Sequence, residues 1–144
     1  HAFEPNLNFK EYLSHNFSNL YIKLHSKAVG ERSGTVQLNI IGESNQTRVN
    51  ESSPGSTEMI TLESIVSDID REIDLLKMDC EGSEWGILRD TESLKQVNNI
   101  TLEYHLWANQ KTHKDAKNLL TNHGFKIIKH LPCSDFGMIC GTKK

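Results

Sequence analysis

The sequence predicts an α/β domain with a mostly parallel sheet and helices on both faces. Three observations carry this. Short β-branched and apolar runs alternate with stretches of helical period along most of the chain. The run Ile73–Met78 (IDLLKM) is mostly apolar, as suits a central strand covered on both sides. No repeat and no linker divides the 144 residues, so residues 1–144 are read as one domain.

The elements follow in order. Ala2, Phe3 and Glu4 read as the end of a strand, stopped by Pro5, which lacks a ladder donor. Asn8 with Glu11 resembles a capping box, and Phe9, Leu13, Phe17 and Leu20 recur at helical spacing behind it. Residues 21–25 alternate apolar and polar, and residues 35–41 (TVQLNII) form a second β run. Residues 42–57 are rich in Ser, Asn, Glu and Gly and are expected to be a mobile loop or hairpin tip. Thr61 caps a helix striped by Leu62, Ile65, Val66 and Ile69. After the IDLLKM strand, residues 82–88 start a helix with Trp85 and Leu88 inward. Residues 100–104 are a strand. Thr112 with Asp115 opens a helix whose Ala116, Leu119 and Leu120 face the core, and Gly124 closes it. Residues 125–131 and 136–142 are two closing strands.

Composition excludes several classes of function. Net charge is −3 with the two signs interspersed, so no basic stripe points to nucleic acid and no polybasic tail to an anionic membrane. Mean hydropathy is −0.51, and no apolar run approaches a bilayer's thickness. Cys80, Cys133 and Cys140 form no C-x-x-C pair, so a zinc knuckle is not expected. In a secreted chain Cys133 and Cys140 could meet across a hairpin; the simpler reading is three idle thiols.

In a doubly wound sheet, ligands bind outside the carboxyl ends of the strands. The residues there are Glu4, then residues 25–28, then Asp79, Glu81 and Glu84, then Glu103 and His105. A carboxylate such as Glu4 can accept hydrogen bonds from ribose hydroxyls or stand solvated before a turn. Acids near a helix start can answer the macrodipole or serve a ligand. Glu103 and His105 share a strand face by the two-residue period. His105 is open to three roles: general base, metal ligand with Asp79 and Glu81, or a hydrogen-bonded structural histidine.

Together, Ala2-Phe3-Glu4-Pro5, Ala28-Val29-Gly30 with Ser33-Gly34, the run from Ile73 through Lys77-Met78-Asp79-Cys80-Glu81-Gly82-Ser83-Glu84-Trp85, Leu102-Glu103-Tyr104-His105 and Gly124-Phe125 resemble the FkbM family of S-adenosylmethionine-dependent methyltransferases. The likeness runs through nearly the whole chain, and its specific segments are AFEP and KMDCEGSEW. It implies a Rossmann-like class I methyltransferase sheet, mostly parallel with an antiparallel strand near one edge. It implies that Glu4 holds the cofactor ribose, that Ser26, Lys27, Ala28 and Val29 line the adenine, and that Asp79 lies by the methionine end. Asp79, Glu81 and His105 would carry catalysis, and Glu84 and Glu103 would face the acceptor. The acceptor would be a sugar or other small hydroxylated molecule, and no residue is assigned to a metal. Family members begin with a strand and a glycine-rich turn, and no G-x-G occurs here. The chain is therefore expected to be an N-terminally truncated domain that binds S-adenosylmethionine weakly by itself.

Overall fold

The computed structural model describes residues 1–40, 47–50, 55–107 and 110–143. The chain forms β1 (Ala2–Phe3), a 3-10 turn (Leu7–Phe9), α1 (Lys10–Asn16), β2 (Leu24–His25), β3 (Ala28–Val29), β4 (Gly34–Ile40), β5 (Thr47–Asn50) and β6 (Thr57–Ile60). Then follow α2 (Leu62–Ile69), β7 (Ile73–Met78), α3 (Glu84–Ile87), α4 (Thr91–Lys95), β8 (Val97–His105), α5 (His113–Asn122), β9 (Lys126–Pro132) and β10 (Phe136–Thr142). Among the described residues, no helix is long and apolar enough to cross a membrane.

These strands do not join into one mostly parallel sheet, which corrects the sequence expectation. They form a parallel β1–β2 pair, a sheet ordered β3–β6–β4–β5 and a sheet ordered β7–β8–β10–β9. In the last, β7 and β8 are parallel, while β10 runs antiparallel to both β8 and β9. The middle sheet adds antiparallel β4–β5 and β4–β6 pairs to a parallel β3–β6 pair. A short link accounts for the antiparallel β9–β10 pair. The three residues between Pro132 and Phe136 can only reverse the chain, whereas a parallel return needs a crossover.

β7 departs from the expectation of cover on both faces. It has β8 as its only strand partner among the described residues, and Leu75 on it is 58% exposed. Among the described residues it is an edge strand and is not covered on both faces. Residues 42–57 are not a plain loop: β5 lies inside them and pairs with β4, while residues 41–46 and 51–54 fall outside the described residues. Of residues 21–25 only Leu24 and His25 are strand, because only they meet β1. The first helix starts differently as well. Asn6 caps the 3-10 turn by accepting the Asn8 amide at 3.0 Å, and α1 stops before Phe17 and Leu20 with no residue buried.

The other helices follow their sequence signals. The Thr61 hydroxyl accepts the Ser64 amide at 3.2 Å, and Leu62, Ile65 and Val66 turn inward. Thr112 and Asp115 cap one another's amides at the start of α5. The main core gathers Leu62 and Val66 from α2, Trp85 and Leu88 around α3, Ile100 and Leu102 from β8, and Leu120 from α5. Each such side chain contributes roughly 1.5–3 kcal/mol on burial. A smaller core holds Ala28, Val36 and Met59.

Tyr104 ties α5 to the sheet. Its hydroxyl lies 2.7 Å from both His113 Nδ1 and His130 Nε2. Burial pushes this phenol up to about 12, so it keeps its proton, and one imidazole accepts while the other donates. Gly137 faces Tyr104 across the β8–β10 ladder, and a Cβ there would lie 2.2 Å from the hydroxyl. Gly137→Ala is expected to cost about 3 kcal/mol, since a packed core tolerates little added volume. The urea midpoint measures it; a wild-type midpoint would show that Tyr104 gives way freely.

Candidate active site

β7 delivers the chain to Asp79, and the segment up to Ser83 turns sharply. Glu81 (φ 47°) and Gly82 (φ 104°) both occupy the left-handed region. Glycine holds that conformation without penalty, but glutamate does not, so the turn needs an anchor. Glu84 supplies it. Its Oε1 accepts the amides of Cys80 and Gly82 at 2.9 and 3.1 Å, and Oε2 accepts Gly82 at 3.0 Å. The Glu84 residue is fully buried.

The same Oε1 lies 3.1 Å from Nδ1 of His105 at the end of β8. A carboxylate oxygen that already receives amide protons can only accept, so Nδ1 carries the hydrogen. The lone pair of the neutral ring is then on Nε2. That atom lies 3.7 Å from Glu81 Oε2 and 3.8 Å from Glu103 Oε1, beyond hydrogen-bond reach. Trp85 Nε1 donates to the His105 carbonyl at 2.9 Å and fixes the strand end. The hydrogen bond to Glu84 holds the His105 imidazole above its ordinary pKa despite burial, helped by the charges of Glu84, Glu81 and Asp79. Burial, then the charge of Asp79, raises the Glu103 carboxyl. Cys80, by contrast, is a half-buried residue whose thiol is pushed up to about 12 by desolvation, inert as a nucleophile, and all three cysteines are free.

The structure thus gathers Asp79, Glu81, Glu84, Glu103 and His105 at one strand end. Asp79 is exposed, Glu81 half-buried and His105 buried, and their ligand-capable atoms lie within 4.8 Å of one another. Two carboxylates and an imidazole at that spacing suit a divalent cation with mixed oxygen and nitrogen ligands. Glu84 does not face an acceptor as the sequence suggested. Its carboxylate is enclosed and spent on the turn and on His105, which makes it a positioning residue.

Apart from Asp79, the residues expected at the cofactor lie elsewhere, on and around β1, β2 and β3. Glu4 is half-buried; its Oε1 accepts the Asn6 amide at 2.7 Å, and burial raises its pKa. Beside it His25 stacks on Phe3 at 4.4 Å, and His25 Nε2 is shielded with no hydrogen-bond partner. An acceptor oxygen left over on Glu4 and an orphaned ring nitrogen fit a polar, hydroxyl-bearing group such as a ribose. Ala28 corrects the expectation: it is fully buried against Val36 and Met59 and has no surface to offer an adenine. Lys27 is bound to Glu58 at 2.6 Å, Val29 packs against the main core, and Ser26 stays half-buried.

Next to Glu81 opens a cleft of about 470 Å³, lined among others by Glu31, Arg48, Asn50, Ser83 and Trp107. The sequence reading missed Arg48 and Trp107. Trp107 continues the two-residue step of Glu103 and His105, a usable signal. Arg48 lay in a segment read as loop and carried none.

These features define a mixed α/β domain with a carboxylate–histidine site at a strand end beside a polar cleft. Residues 1–127 match the family described as the methyltransferase FkbM domain, and the chain belongs to that family. No match was found among curated proteins or among solved structures.

Proposed function

We propose that this domain methylates a hydroxyl oxygen of a sugar or other hydroxylated small molecule, using S-adenosylmethionine on a Rossmann-like class I sheet. Supporting the sheet, β7, β8 and β9 run one way and β10 alone opposes them, second from the edge. The single observation that carries the chemistry is the Glu84–His105 pair, which leaves Nε2 free in a cluster of acids.

S-adenosylmethionine, when bound, supplies a methyl group already activated on a sulfonium. The chain's own work is alignment and removal of one proton. His105 Nε2 accepts the proton of the acceptor hydroxyl. Glu84 keeps the ring in the tautomer that leaves Nε2 free and stabilises the imidazolium that results. Glu81 and Asp79 add negative potential that favours that cation, and Glu103 borders the acceptor. Glu4 holds the ribose hydroxyls, with His25 beside it. The acceptor is a small molecule, in keeping with the size of the cleft.

One observation favours a second reading, a non-catalytic domain kept for protein contacts. β1–β2 and the β7 sheet share no strand among the described residues, so the cofactor residues and the acid cluster are not joined through one sheet. A transfer assay separates the two. The full-length protein, given S-[methyl-³H]adenosylmethionine and a panel of monosaccharides and phenols, is expected to yield labelled, base-stable methyl ethers. Label in base-labile esters or amines, or in no product, would sink the O-methyl reading.

A further inference from the structure

We infer that Arg48 and Trp107 form a subsite for an anionic group on the acceptor, so that the substrate is an acidic sugar or a similarly charged hydroxylated molecule. The inference rests on the transferase reading for the reaction but not for the binding.

The guanidinium carbon of Arg48 lies 3.9 Å over the Trp107 ring. A guanidinium stacked in this way has its orientation fixed, and its N–H donors point outward in the plane. Among the described residues the Arg48 side chain makes no hydrogen bond or ion pair, and its Nε is shielded from water without a partner. A partly dehydrated cation without a counter-ion gains more from an anion than a solvated one does.

The other charged residues that line the cleft, among those described, are the acids Glu31 and Glu81. Glu31 is bound to Arg89 at 2.9 Å, and Glu81 faces His105. Among the described residues that line the cleft, Arg48 is the cation left for a ligand. It also stands next to the reaction centre, because the Trp107 ring lies 5.6 Å from the His105 ring. A molecule whose anionic group meets Arg48 can present a hydroxyl to Nε2 of His105. The cleft volume of about 470 Å³ suits a small ligand.

Carboxylate and phosphate share this chemistry, and calorimetry with the full-length protein distinguishes them. D-glucuronate and glucose 6-phosphate are titrated against methyl glucoside. At least one anion is expected to bind roughly ten- to hundredfold more tightly than the neutral sugar, the usual gain from charged hydrogen bonds. Arg48→Gln should abolish that preference and leave the neutral sugar unchanged, while Arg48→Lys keeps part of it. Equal binding of all three sugars, no binding of either anion, or wild-type preference in Arg48→Gln overturns the proposal. So does an equal loss for charged and neutral sugars, which would mark the stacking as structural only. Anion preference with no methyl transfer refutes the reaction and leaves the subsite standing.

Discussion

His105→Gln is expected to lower kcat about 100- to 10,000-fold, the range of a lost general base, while the affinity for S-adenosylmethionine stays close to wild type. The split follows from geometry: Nε2 opens toward Glu81 and Glu103, whereas Glu4 and His25, the residues proposed to hold the ribose, lie on and beside the separate β1–β2 pair. The pH profile carries a sign. The base works only when neutral, and the Glu84 hydrogen bond raises its pKa above the ordinary 6.5. Wild-type kcat/KM should therefore climb with pH along a limb centred above 6.5, and His105→Gln should lack that limb. Wild-type turnover in the variant would remove His105 from the mechanism.

Glu84→Ala should cost about 3–5 kcal/mol, as expected when one partner of a buried ionic pair is deleted. The carboxylate serves three groups at once: the Cys80 amide, the Gly82 amide and His105 Nδ1. Without it the amides are buried without acceptors, and Glu81 has nothing to hold its left-handed backbone. Glu84→Gln retains one acceptor oxygen and should be milder in urea denaturation. Its diagnostic is the His105 imidazole, followed by NMR titration, which should fall back toward 6.5. An unchanged urea midpoint in Glu84→Ala, or an unchanged His105 titration in Glu84→Gln, would refute the positioning role.

Local signals were legible where the chain is short-range in its physics. Thr61 and Thr112 cap the helices they were expected to cap, because a cap involves residues three apart and nothing distant. The closing strands β9 and β10 followed from alternation and from the brief link between them. Partnerships were not legible. IDLLKM reads as a central strand from apolarity, yet β7 has one strand neighbour among the described residues, because pairing depends on what lies beside it. β5 was hidden in polar sequence, since its stability comes from the β4 ladder.

The site divides in the same way. The strand end at Asp79, the companion acids and the shared face of Glu103 and His105 were readable from the two-residue period and from where sheets bind ligands. The sequence by itself determined which residues carry charge and on which element each sits. Only the tertiary structure decided their roles. It enclosed Glu84 and made it a support, buried Ala28 away from any ligand, and brought Arg48 over Trp107 from 59 positions earlier in the chain. Burial and hydrogen bonds between distant segments are properties of packing, and no local pattern encodes them.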